Sequence, residues 1–216
     1  INMCKIIIKQ VLEALNCLHN QKNYIHCDIK DENIMIQIND DGSLQCKLID
    51  FGFVTQRGSV MNKKNAFIGT PEYMHPSNYL CGEHNKYCSS FEPTIDVWAV
   101  GIMIYRMLIG FHINDNHNSG CVNNYYNYYI NNKVEKLCKE FSIKPDLIKI
   151  TDYFKNYINN QNDLLNDINN YIYLLYIIFY QQENTIDTIL NCNFFKNTEY
   201  DKNCLLYTSP SPRDSA

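Results

Sequence analysis

From Pro93 and Thr94 to about Ile109 the chain is apolar on nearly every side of a helix, with only Asp96 and Arg106 charged. A helix with one apolar stripe can lie on a surface, whereas one that is apolar all round needs neighbours on every flank. The longest uninterrupted apolar runs, Val97 to Tyr105 and Tyr171 to Tyr180, fall short of the ~18 residues a membrane helix needs. The segment is therefore expected at the buried centre of a helical domain, with Gly110 as its stop. At 216 residues the chain can build one such core.

The surrounding elements follow from periodicity. Cys4, Ile7, Ile8, Val11, Leu12, Leu15 and Leu18 recur at spacings of three and four and predict an opening amphipathic helix. Tyr24-Ile25 is β-like, and Ile34 to Ile36 and Leu44 to Ile49 flank Asn39-Asp40-Asp41-Gly42 as a hairpin. Asp50 to about Pro76 has no sustained period and is rich in Gly, Thr, Ser and Lys, which predicts a long surface loop of the functional kind. Apolar residues return at Ile168, Ile172, Leu174, Leu175, Ile178 and Phe179, then at Ile186, Ile189, Leu190, Phe194 and Phe195, as two closing helices. Residues 114–132 hold eight Asn and four Tyr, and a low-complexity insert over about 114–165 is expected to carry no function. The fold class is mainly α with a small β-hairpin.

Charge and cysteine usage narrow the function. With 19 Lys and Arg against 23 Asp and Glu, the net charge of −4 gives no footprint for nucleic acid or an anionic membrane. None of the ten Cys falls in a CxxC pair, so zinc has no ligand pattern, and reduced thiols fit a cytoplasmic or nuclear protein.

The chemistry-bearing residues are His26-Cys27-Asp28-Ile29-Lys30-Asp31-Glu32-Asn33, followed by Asp50-Phe51-Gly52. They supply a carboxylate to act as base, a lysine two residues on, an amide three further, and a second carboxylate at a strand end. That inventory suits phosphoryl transfer, which needs an oriented hydroxyl, a cation on the transferred group and oxygen ligands for Mg²⁺. Taken alone, Asp31-Glu32 reads as a solvated turn, and His19, His75, His84, His112 and His117 show no partner spacing.

These segments resemble the eukaryotic protein kinases: His26 to Asn33 matches their H-R-D-L-x-x-x-N and Asp50 to Gly52 their D-F-G. Gly69-Thr70-Pro71-Glu72-Tyr73 is similar to the segment before their A-P-E, and Asp96-x-Trp98-x-x-Gly101 to their buried central helix. The resemblance spans residues 1–203 and implies the C-terminal, larger lobe of the kinase fold, with the N-terminal lobe missing. It implies ATP and Mg²⁺ as cofactors and a protein substrate, with Asp28 as base, Lys30 on the transferred phosphoryl, and Asn33 and Asp50 as metal ligands. Met35 would lie under the adenine, and Asp96 would hold the catalytic loop through its backbone amides. His26 would stack with Phe51. Lys30, with Thr70 placed to bond the Asp28–Lys30 pair, is similar to the serine/threonine rather than the tyrosine-specific kinases. Asp28 to Asn33 also resembles the Pim and PAS-domain kinases of the calmodulin-kinase-like group. Oligomeric state is not legible.

Three departures matter. Cys27 stands where the family has the arginine that pairs with a phosphorylated activation loop, so phosphorylation of Thr55 or Ser59 is not expected to act through it. The A-P-E appears as His75-Pro76-Ser77, and the arginine that would pair with the missing glutamate aligns with Glu183. No GxGxxG occurs, so these residues alone are expected to be inactive. A pseudokinase scaffold or binding module is the alternative. Cys204 to Asp214 spell CLLYTSPSPRD, the translation of a common transposase sequencing adapter, so residues 204–216 are expected to be non-native. The opening at Ile1, inside a helical pattern and without Met, is expected to follow missing upstream sequence.

Overall fold

The computed structural model describes residues 2–75, 77, 78, 81, 90–109, 170, 171, 173–175, 177–179 and 185–195. Among them are the helices α1 (Asn2–Asn16), α2 (Thr94–Ile109) and α3 (Ile186–Leu190). The strands are β1 (Tyr24–Ile25), β2 (Ile34–Ile38), β3 (Leu44–Leu48) and β4 (Thr55–Gln56), and the described residues between 170 and 179 are helical.

The all-round apolar helix lies where its composition requires. Ile95, Val97, Trp98, Ala99, Val100, Ile102, Met103 and Ile104 of α2 are buried, and so is Asp96. Helix α1 turns Ile7, Ile8, Val11, Leu12 and Leu15 into the same core, which Tyr171, Leu174, Leu175, Ile186, Ile189 and Phe194 complete. Gly101 is what lets the helical segment around 178 approach α2: a Cβ there would sit 2.7 Å from both Ile178 Cγ2 and Phe179 Cε1.

Strands β2 and β3 form the expected antiparallel hairpin, in register from Ile34 opposite Leu48 to Ile38 opposite Leu44. Its turn closes through the Gly42 N–H on the Asn39 carbonyl at 2.9 Å. Gly42 has φ +81°, a left-handed conformation that costs glycine nothing sterically. Gln10 seats the hairpin on α1. Its side-chain amide, 1% exposed, donates to the Leu44 carbonyl at 2.8 Å and accepts from the Cys46 N–H at 2.7 Å. Two backbone groups of β3 that would otherwise be stranded beneath the helix are satisfied in this way.

Residues 50–75 are more anchored than a surface loop. Strand β4 pairs antiparallel with β1, Ile25 opposite Thr55, and Val60 bridges to Ser90. Residues Pro71–Tyr73 form a 3₁₀ turn. Met61 and Ala66 are fully buried in a second apolar cluster with Ile25, Cys27, Cys81, Phe91 and Ile95. The anchors are single apolar residues separated by polar ones, and such a pattern has no period to detect.

Gly110, the insert over about 114–165, Glu183 and residues 196–216 lie outside the described residues. Among the described residues no helix is long and apolar enough to cross a membrane.

Candidate active site

The loop from His26 to Asn33 leaves the two-residue strand β1 without regular structure until the 3₁₀ turn Asp31–Asn33, and its first half is buried. Buried backbone N–H groups need acceptors, and here they come from a side chain of α2. Asp96 Oδ2 accepts from the His26 N–H at 2.8 Å and Oδ1 from the Cys27 N–H at 2.9 Å. His19, in the π turn that ends α1, completes the arrangement with Nε2 2.7 Å from Asp96 Oδ2. Burial pushes the Asp96 carboxyl up, but the His19 hydrogen bond and the neighbouring imidazoles outweigh it and hold the group below its ordinary value. The charge is retained inside the core because every near neighbour is a donor.

Cys27 pays for its place in backbone conformation, with φ +67°, a region non-glycine residues rarely occupy. Its thiol points into the second apolar cluster, where burial pushes its ionisation up and keeps it protonated. Gly69, at φ +93°, passes directly over this point: a Cβ would fall 2.1 Å from the Cys27 carbonyl oxygen. Only glycine allows that approach, and the approach delivers Thr70 to the loop.

Four of the expected residues converge. Asp28 is 4% exposed. Its Oδ1 accepts from the Thr70 hydroxyl at 2.6 Å, and its Oδ2 from the Asn33 amide at 3.0 Å. Lys30 Nζ lies 3.1 Å from Oδ2 and donates to Thr70 Oγ1 at 2.7 Å. Burial raises the Asp28 carboxyl, but the Thr70, Lys30 and Asn33 donors together bring it below its ordinary value. It is therefore ionised at neutral pH. Each carboxylate oxygen has two lone pairs. Oδ2 takes two donors and Oδ1 takes Thr70, which leaves Oδ1 one acceptor position for an incoming hydroxyl.

Asp50 joins through the backbone. The Ile49 N–H donates to the Asn33 carbonyl at 3.0 Å, so Asp50 follows directly on the hairpin end that carries Asn33. It is exposed, has φ +59°, and takes the Gly52 N–H on Oδ1 at 3.3 Å, leaving Oδ2 open. The Asn33 amide nitrogen is committed to the Asp28 carbonyl, at 2.8 Å, and to its carboxylate, so its oxygen is the atom left to offer. Two hard oxygen donors on backbone segments joined by this bond would suit Mg²⁺, which keeps several waters and takes few protein ligands. His26 and Phe51 meet with centroids 5.1 Å apart, but the rings are tilted by 54° and are not stacked as expected. Met35 lies on β2, 55% exposed, with no bond to the four.

Three features escape a sequence reading. His19 reaches an aspartate 77 positions downstream, and only the fold brings the two together. Asp31 is not merely solvated: it pairs with Arg106 at 2.7 Å and accepts from the Tyr73 hydroxyl. At the A-P-E position, Ser77 is satisfied locally, its hydroxyl 2.7 Å from His75 Nδ1, which also accepts the Ser77 N–H at 3.1 Å. The His75 ring meets Trp98 edge-on at 5.2 Å, and burial lowers its pKa to about 4.

The family model described as protein kinase domain matches residues 2–171. The chain is 39% identical over 106 residues to serine/threonine-protein kinase dkf-2 of Caenorhabditis briggsae, covering 49% of this chain and 8% of that protein. It is 37% identical over 105 residues to serine/threonine-protein kinase CST20 of Candida albicans, covering 49% and 8%. With serine/threonine-protein kinase ste20 of Aspergillus fumigatus the identity is 36% over 104 residues, covering 48% and 11%. The chain thus spans about a tenth of the length of these relatives.

Proposed function

The chain belongs to the protein kinase family, serine/threonine type, and from that premise we propose that it forms the C-terminal lobe of an enzyme transferring phosphate from ATP to serine and threonine hydroxyls of proteins. The observation that carries the reading is the Asp28 carboxylate, ionised, with one open lone pair beside the Lys30 ammonium.

In this reading the acceptor hydroxyl donates to Asp28 Oδ1, which orients its oxygen for in-line attack and takes the proton as the new bond to phosphorus forms and the bond from that phosphorus to the departing ADP oxygen breaks. Lys30 neutralises charge on the transferred phosphoryl. Thr70 holds both side chains at a common oxygen, and with its bonds to Thr70 and to Asp28 Oδ2 made, Lys30 has one further N–H to give. Asn33 and Asp50 would hold Mg²⁺, which supplies charge neutralisation on the phosphates when bound. Met35, exposed on β2, is suited to an apolar base face. The 216 residues contain no GxGxxG, so turnover is assigned to the full-length protein rather than to this stretch, and residues 1–203 are taken as the lobe.

The test is phosphoryl transfer from MgATP to serine-, threonine- and tyrosine-containing peptides by the full-length protein, beside Asp28→Asn. Transfer to serine and threonine, lowered about a hundredfold or more in kcat by Asp28→Asn with MgATP affinity kept, supports the reading. MgATP binding without turnover in the wild type would instead make it a pseudokinase scaffold.

A further inference from the structure

Asp31, Tyr73 and Arg106 come from three separate stretches of chain and meet at one point. Arg106 Nη1 donates to Asp31 Oδ1 at 2.7 Å and to the Tyr73 hydroxyl at 2.8 Å, and that hydroxyl donates to the same Asp31 oxygen. Asp31 begins the 3₁₀ turn Asp31–Asn33, three residues beyond Asp28. Tyr73 ends the 3₁₀ turn Pro71–Tyr73, three residues beyond Thr70. Arg106 lies in the last turn of α2, whose first turn carries Asp96.

Helix α2 therefore grips the catalytic loop twice, by Asp96 at its start and by Arg106 near its end. The second grip also takes hold of the turn that follows Thr70. Each turn is closed by two backbone bonds: Asn33 N–H to the Lys30 carbonyl at 3.1 Å and Ile34 N–H to the Asp31 carbonyl in one, Tyr73 N–H to the Thr70 carbonyl at 3.0 Å and Met74 N–H to the Pro71 carbonyl at 3.1 Å in the other. A one-turn helix held by two such bonds has little rigidity of its own. The Tyr73 ring, 4% exposed, gives the cluster a fixed wall, while Asp31 and Arg106 stay partly open to solvent. A half-open ion pair adds little to global stability, so its consequence is local.

Resting on the kinase reading above, we infer that Asp31, Tyr73 and Arg106 are positioning residues that lock the Asp28 and Thr70 turns together and so set the direction of the Asp28 carboxylate. The Asp28–Thr70 bond joins the two turns on one side, and the three-residue cluster joins them on the other. With both in place, neither turn can rotate alone.

The test uses the full-length protein and the variants Arg106→Met, Arg106→Lys, Tyr73→Phe and Asp31→Asn. Steady-state transfer to a serine peptide is read beside hydrogen exchange at the Asn33 and Tyr73 amides. Arg106→Met is expected to lower kcat about ten- to a hundredfold, the scale of a misplaced catalytic group. KM for peptide and MgATP should stay within about twofold, with Arg106→Lys recovering most of kcat. Exchange at both amides should rise about tenfold, while the interior of α2 stays protected. Unchanged kcat and exchange overturn the inference. So does a raised peptide KM with kcat intact, which would make Arg106 a substrate contact instead. If Arg106→Met does not fold, Tyr73→Phe decides, since it removes one oxygen and keeps the buried ring. A wild type without Asp28-dependent transfer would end the kinase reading, and the exchange measurement would still decide whether the cluster locks the turns.

Discussion

The catalytic loop and the activation segment lie against each other and are held by different balances of bonding and packing. Residues 26–33 hang on directional bonds: Asp96 to two backbone amides, and Asp28 to Thr70, Lys30 and Asn33. Residues 50–75 have the β4 pairing and the Thr70 and Tyr73 bonds, and between these they are seated by packing, through Met61 and Ala66 in an apolar cluster and His75 against Trp98. Cys27 belongs to both, its N–H on Asp96 and its thiol among the apolar side chains. The difference follows from the task. A loop that aims a carboxylate needs bonds with direction, whereas a segment that has only to lie still can rest on non-directional burial.

The strongest challenge to this contrast is Asp96→Ala. It leaves two buried amides and His19 without their acceptor, and should cost about 3–5 kcal/mol by denaturant unfolding, with loss of phosphoryl transfer. If the cost were below about 1 kcal/mol, the polar anchoring would be ornamental. Met61→Ala comes next, at about 2–4 kcal/mol for a fully buried side chain. Hydrogen exchange should show it loosening residues 60–68 while the His26 and Cys27 amides keep their protection.

Acid sharpens the same contrast. His75 titrates at about 4 in the fold against 6.5 for the free side chain, so below the free value the unfolded chain binds a proton that the folded chain does not. The share of stability set by His75 should fall as pH drops from about 6.5 to about 4, by up to about 3 kcal/mol, and that share levels off below. His26, also lowered, adds to the loss in that window. Asp28 and Asp96, held below their ordinary values, lose their contribution only under more acid conditions. Thermal unfolding of His75→Phe against wild type isolates the share of His75, and parallel pH profiles would refute it.

Legibility in the sequence followed the same division. Helices α1 and α2 and the β2–β3 hairpin repeat their pattern over several turns or pairs, and their bounds could be read from it. The anchors of residues 50–75 are isolated side chains whose partners lie elsewhere, so that stretch reads as a loop. Asp28, Lys30, Asn33 and Asp50 were legible as an ordered motif series. Thr70, 42 positions from Asp28, was placed on the Asp28–Lys30 pair by the resemblance and by no local pattern, and its hydroxyl does bond Asp28. The His19–Asp96 and Asp31–Arg106 pairs are separated by 77 and 75 positions, and a polar turn looks solvated until its partner is placed.

Cys27 is where the contrast can be tested most directly. An arginine there could recruit a phosphate to order the activation segment, but a protonated thiol in an apolar cluster cannot, so the segment must be ordered without one. The measurement is kcat/KM of the full-length protein for a serine peptide before and after exhaustive phosphatase treatment, with mass spectrometry confirming that Thr55 and Ser59 are unmodified. Equal values within about twofold are predicted. A fall to background that rephosphorylation restores would contradict packing as the means by which the activation segment is held.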